Sequence, residues 1–226
     1  MRLLIRRHYV GGNNKAMNIT QQNILQWLEN CHTLFNLHQD ELTQLDREIG
    51  DADHGLNMQR GFSKVAEKLP SVADKDIGTI FKTVGMTLLS QVGGASGPLF
   101  GTFFLKAAMV TKDKMELTPE ILLEALQAGT QGVIMRGRAE RNDKTMCDVL
   151  LPVLDDFQQA LTKGENGPQL FAYLAQQAAQ YAKDTIPLIA RKGRASYLNE
   201  RSIGHQDPGA TSVSYIFLAL AQALEA

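Results

Sequence analysis

Apolar residues fall three and four positions apart along nearly the whole chain, the spacing that lines one face of a helix. Ile24, Leu25, Trp27, Leu28, Cys31, Leu34 and Phe35 form the first such run, behind Thr20 as a predicted N-cap. Leu42, Leu45 and Ile49 continue the period in a second helix that stops at Gly50. A third is expected from about Leu56 through Phe62 and Val65 to Leu69, ended by Pro70. Asp76 is placed to cap a fourth, which carries Ile80, Phe81, Val84 and Leu88 as far as Gly93-Gly94, and a fifth begins near Pro98. Thr118 followed by Pro119 is a favoured start for the sixth. Two more apolar-periodic stretches lie around 145–162 and 168–184, and the last helix runs from Ala210 to Leu224 after a long polar loop. Sustained period-two alternation with β-branched enrichment is absent from the sequence. The pattern predicts an all-α domain of about eight helices, an antiparallel bundle or barrel with short connections.

Composition narrows what such a domain does. The 226 residues are 44% hydrophobic and 21% charged, ample for one core. With 23 basic and 24 acidic side chains the formal net charge is −1, which argues against a general binder of nucleic acid or anionic membrane. No apolar run approaches the ~20 residues needed to span a bilayer. Cys31 and Cys147 stand far apart in no metal-ligand spacing and read as reduced thiols of a cytoplasmic protein. Residues 1–16 hold an apolar run too short for a secretory signal; they are expected to form a disordered extension, with Met17 as an alternative start. Residues 17–226 are expected to be one domain.

The chemistry begins at "LDREIGDADHGLNM", which places Asp46, Asp51 and Asp53 around Gly50, where the second helix breaks. A reversal at Gly50 would fold Asp51 and Asp53 back over Asp46. Three hard oxygen ligands suit Mg²⁺ or Ca²⁺ rather than Zn²⁺. An EF-hand loop is excluded, because counting from Asp51 puts Leu56 and Phe62 where that loop needs Gly and Glu. Capping of the next helix by Asp53 or Asn57 is the competing reading. Against it stands Asp46, an acidic group in a helix's last turn, which opposes the macrodipole unless a cation is present. His54 is ambiguous on spacing alone.

Two further segments match what a metal would hold. "VGGASGPLFG" (92–101) is a Gly-rich turn opening a helix, where free N–H groups and the positive helix end favour an anion. It fits neither the P-loop nor the dinucleotide fingerprint. "ARKGRASYLNERSIGHQDPGATS" (190–212) supplies Arg191, Lys192, Arg194 and Arg201 and then an Asp-Pro-Gly turn. Arginine's planar fork suits phosphate oxygens. Carboxylates that hold a cation, with backbone donors and arginines that hold phosphates, are the parts of a phosphoryl-transfer site.

Those segments, together with "NDKTMCD" (142–148), resemble the nucleotide-binding L subunits of bacterial dihydroxyacetone kinases, and the likeness runs from Met17 to the C-terminus. The resemblance implies an eight-helix antiparallel barrel with the nucleotide at one end. It implies that Asp46, Asp51 and Asp53 bind two Mg²⁺ ions, and that His54, Gly55, Asn57, Ala95, Ser96, Gly137, Met146, Arg194, Asp207, Pro208 and Gly209 surround the nucleotide. Arg194 would be the catalytic group that offsets charge on the phosphoryl in transit. ADP would be a resident cofactor, transiently ATP, rephosphorylated by a phosphohistidine carrier of the phosphotransferase system. The phosphoryl group would pass on to dihydroxyacetone held by a separate subunit. A free-standing chain of this size favours this scheme over the ATP-binding part of a split ATP-dependent kinase. A transcriptional regulator is a further compatible partner. A metal-dependent phosphohydrolase, with His54 or His205 as base, and a non-catalytic nucleotide sensor are the alternatives.

Overall fold

The computed structural model describes residues 17–225, and the expected N-terminal extension, residues 1–16, lies outside them. The nine α-helices of the described residues are α1 (Gln21–Leu37), α2 (Gln39–Ile49), α3 (His54–Lys68), α4 (Ile77–Gln91), α5 (Ser96–Val110), α6 (Pro119–Gly137), α7 (Cys147–Thr162), α8 (Pro168–Lys183) and α9 (Pro208–Leu224). Two-residue strands at Ile19–Thr20 and Glu116–Leu117 pair antiparallel and form the only sheet there.

Neighbour relations close the helices into a ring: α1 packs on α3, α3 on α4, and so on through α9, which returns to α1. That ring has eight staves. The ninth helix, α2, continues from α1 across the single residue His38 and leans on α3 and α9 at one rim. The expected barrel is therefore present, and the extra helix comes from the bend at His38. Mostly short connections make consecutive staves antiparallel, and the one long connection, between α8 and α9, has its ends tied together by the Gly204 N–H to Ile186 carbonyl bond. Hence α3, α5, α7 and α9 all begin at the rim where α2, α4, α6 and α8 end.

Sequence signals set most boundaries. Thr20, Asp76 and Thr118 accept N–H bonds from Asn23, Thr79 and Ile121, as N-caps do. Pro70 does not end α3 abruptly but sits in a 3-10 turn, Leu69–Val72, that follows it. α5 begins at Ser96 and α9 at Pro208, each two residues before the apolar pattern's start, because the first turn of each is polar or small.

The barrel interior is filled by aromatic side chains. Trp27 meets Phe81 edge to face at 5.9 Å, and its indole N–H donates to the Ile216 carbonyl at 2.9 Å. Such a satisfied, fully buried aromatic stabilises by about 3–5 kcal/mol relative to alanine. On the wall, Gly85 of α4 and Gly101 of α5 face each other: a Cβ on either would stand 2.8 or 2.9 Å from the other's carbonyl oxygen. That close approach holds α4 and α5 backbone to backbone and aims the turn between them at the rim. Cys31 and Cys147 are free and buried.

Candidate functional site

The rim carries a cavity of about 400 Å³, the size of a small-molecule site. One corner is made where α2 turns into α3. A Cβ at Gly50 would stand 2.0 Å from Asp46 Oδ1, so only glycine lets the chain double back there. Asp46 Oδ2 then accepts from the backbone N–H groups of Asp53 (2.9 Å) and His54 (3.1 Å). The start of α3 is thus capped by α2, while Asp53, at the N-cap position, makes no side-chain cap bond. Neither Asp53 nor Asn57 caps α3, contrary to the competing reading; the cap comes from Asp46 across the chain reversal.

This fold brings one oxygen each of Asp46, Asp51 and Asp53 within 4.8 Å of one another. Asp46 is buried, and the other two open to the cavity. Like charges at that spacing repel by a few kcal/mol per pair at an effective dielectric constant of about 20. Among the described residues the one ion-pair partner of the cluster is Arg194, whose Nη2 lies 2.9 Å from Asp51 Oδ2. A single guanidinium does not balance three carboxylates. The uncompensated charge and the all-oxygen donor set fit Mg²⁺.

A second corner is the start of α5. The N–H groups of Gly94, Ala95, Ser96 and Gly97 have no partner among the described residues, and Ala95 offers no side-chain cap. Gly94 takes φ +64, a conformation that glycine adopts without strain. Ser96 is held from behind: its Oγ lies 3.1 Å from His54 Nδ1, and His54 Nε2 lies 2.7 Å from Ser212 Oγ. Burial pushes the His54 pKa down to about 4 against the opposing pull of Asp46 and Asp53, so the ring is neutral near pH 7. A neutral imidazole donates at one nitrogen and accepts at the other, and so couples the two hydroxyls.

The remaining wall comes from the α6–α7 and α8–α9 connections. Gly137 ends α6, Met146 precedes α7, and with Leu99, Phe100 and Val133 they form an apolar face suited to a flat ring. Asp207 caps α9 through the Ala210 N–H at 2.7 Å; burial pushes its carboxyl up to about 7. Pro208 and Gly209 form the first turn of α9 at the cavity edge. Arg194 opens a kinked 3-10 segment, Arg194–Ser202, that crosses the rim.

Of the fourteen residues that the resemblance assigns to the metals and the nucleotide, twelve line this one cavity: Asp46, Asp51, Asp53, His54, Ala95, Ser96, Gly137, Met146, Arg194, Asp207, Pro208 and Gly209. Gly55 and Asn57 do not. Gly55 lets α3 approach α2, since a Cβ there would lie 2.1 Å from the Gln39 carbonyl. Asn57 is buried behind Gly93, and its Oδ1 accepts from Arg60 at 2.9 Å. Sequence reading passed over Ser212, Asp148 and Lys144. Asp148 accepts from the Thr145 and Asn142 N–H groups, and Lys144 is fully buried. The partners of Ser212 and Lys144 lie on other segments, which spacing along one helix does not reveal.

The DAK2 domain family model matches residues 48–222. The chain is 56% identical over 207 residues to the ADP-binding subunit DhaL of the PEP-dependent dihydroxyacetone kinase of Escherichia coli, covering 92% of this chain and 99% of that one. It is 38% identical to the ADP-binding subunit of the PTS-dependent kinase of Lactococcus lactis, covering 89% and 97% of the two chains. Among solved structures it resembles the dihydroxyacetone kinase of C. freundii, with TM-score 0.69 and 23% identity. That match covers 98% of this chain and 38% of the longer kinase, and it supports the barrel fold.

Proposed function

The chain belongs to the DAK2 domain family, and from that premise we propose that it is the ADP-binding subunit of a phosphocarrier-dependent dihydroxyacetone kinase, at work in the cytoplasm. The observation that carries this reading is the shared cavity: three carboxylates with only one guanidinium among them and the uncapped start of α5 open onto the same space. The cavity would hold ADP with two Mg²⁺ ions, and the terminal phosphate of ADP would be the group that accepts and passes on the phosphoryl.

The chain's own residues bind, orient and neutralise. Asp46, Asp51 and Asp53 hold the cations; Asp46 is fixed in direction by the two α3 N–H groups that it accepts. The donors of residues 94–97 and the Ser96 hydroxyl take phosphate oxygens, with the positive end of α5 behind them. Leu99, Phe100, Val133 and Met146 sandwich the base. Arg194, already on Asp51, sits beside the metal cluster and offsets charge in the transition state. No side chain serves as nucleophile, and His54 is tied on both ring nitrogens, which leaves it no role as a base for water. Rate enhancement rests on positioning and electrostatics, as is general for phosphoryl transfer.

A reconstitution tests this. With a dihydroxyacetone-binding subunit and a carrier already charged as its labelled phosphohistidine added, the label reaches dihydroxyacetone only when this chain and Mg²⁺ are present. Steady hydrolysis of nucleotide by the chain alone would contradict the assignment and favour a hydrolase.

A further inference from the structure

Lys144 is the one buried lysine of the described residues, at 1% exposure, and its backbone takes φ +61, a left-handed conformation unfavourable for a side chain of that size. Its ammonium donates to carbonyls of Thr185 (2.8 Å), Ile186 (3.3 Å), Leu188 (3.1 Å) and His205 (2.5 Å). An ammonium has three protons to share among such acceptors, whereas a neutral amine would turn its lone pair toward one of them. The first three carbonyls lie just after α8, and the fourth lies just before α9. The segment between them, 189–204, carries Arg194.

Lys144 therefore sits at the neck of a loop and draws both of its strands together from below. Neighbouring bonds follow the same plan: the Arg191 N–H donates to the Asp143 carbonyl at 3.0 Å, and the Gly204 N–H donates to the Ile186 carbonyl at 2.8 Å. Inside the loop, Ser202 Oγ accepts from the Ala190 N–H at 2.9 Å. Beyond the neck the loop is mostly exposed, with Tyr197 at 85% and a kink at Asn199. The hydrogen bonds that tie this loop to the rest of the barrel are thus concentrated at the neck, while the 3-10 segment itself rests against α2 and Arg194 pairs with Asp51.

We infer that Lys144 is a positioning residue for phosphoryl transfer, which holds Arg194 at the metal cluster by tying the two flanks of the 189–204 loop through their carbonyls. Lys144 borders the cavity, but its ammonium is taken up by the four loop carbonyls, so it acts through Arg194. The inference rests on the function proposed above, but one of its readouts does not need activity.

The test uses the full chain loaded with Mg²⁺ and ADP. In K144M, trypsin should cut at Arg191, Lys192, Arg194 or Arg201 at least about tenfold faster than in the parent, with the rest of the barrel still resistant, because local opening alone exposes the loop. In the reconstituted kinase kcat should fall about a hundredfold with KM for dihydroxyacetone little changed. K144M/R194Q should be no slower than R194Q, since two residues acting through one group are not additive. S202A, which loosens the loop without touching the buried charge, should show the same pattern more weakly, and it decides the matter if K144M does not fold. A loop as protected in both variants as in the parent, or losses that add to that of R194Q, would overturn the inference. A parent that binds no Mg²⁺-ADP would overturn the proposed function itself, a failure visible before any variant is made.

Discussion

The two rims of the barrel treat their helix starts differently. At the rim away from the cavity, Thr20, Asp76 and Thr118 cap α1, α4 and α6 with their own side chains, and only α8, behind Gly167, goes without. At the cavity rim, α3, α5 and α7 have no cap from the preceding residue, and only α9 does, through Asp207. Asp46 reaches over to serve α3, and Thr145 Oγ1 accepts from the Cys147 N–H at the start of α7. For α5 nothing among the described residues takes that part. A missing cap costs about 1 kcal/mol. The far rim is built for local stability, and the cavity rim leaves the α5 donors open beside three carboxylates that share a single arginine. Broken local rules of this kind cluster where a protein binds something.

If that difference is functional, changes at the two rims should separate binding from stability. The largest effect belongs to D51N. Asp51 supports no backbone group and pairs only with Arg194, so the loss falls on the cations. Affinity for Mg²⁺-ADP, measured by calorimetry, should drop by about a hundredfold or more, equivalent to roughly 3 kcal/mol. The ligand-free protein should melt no lower than the parent, because one of three mutually repelling charges is gone.

A95D comes next. It puts a carboxylate at the exposed, uncapped start of α5, where it makes the cavity rim resemble the far rim. Nucleotide affinity should fall about tenfold, for the charge now competes with phosphate for the same donors, while thermal stability holds or rises by under about 1 kcal/mol. Loss of both affinity and stability would show that the turn is structural rather than a phosphate seat.

The smallest effect is at the far rim. D76A removes the acceptor of the Thr79 and Asp113 N–H groups and should lower stability by about 1 kcal/mol with nucleotide affinity unchanged. Hydrogen bonds from Thr79 hold this carboxyl below its ordinary value of 3.8. A depressed folded-state pKa means that the cap's contribution is present above that value and fades as pH falls through the folded one. Denaturant titrations below pH 5 should therefore show a shallower acid-side loss in D76A than in the parent.

How much of this was legible in the sequence follows from where each signal lies. The caps Thr20, Asp76 and Thr118 and the apolar period are local, and they located the helices within a few residues. The turn at Gly50 was local too, so the convergence of Asp46, Asp51 and Asp53 was readable. Which aspartate caps α3 was not, because the bond from Asp46 spans a chain reversal whose direction the residues alone leave open. Closure of the ring through α9 and α1, and the bend that separates α2 from α1, depend on packing between distant helices. Ser212 behind His54 and Lys144 beneath the Arg194 loop are 158 and up to 61 residues from their partners, beyond any periodic pattern. The resemblance to dihydroxyacetone kinase subunits supplied the cavity's residue set, but not Gly55 and Asn57 as supports behind its wall.

Nucleotide content tests the central claim most directly. The protein is purified with Mg²⁺, desalted and denatured, and the released nucleotide is identified and counted. Stoichiometric ADP, retained through desalting and lost only with a chelator, is the predicted result. A protein that emerges empty and takes up no ADP when Mg²⁺ and nucleotide are restored would contradict it.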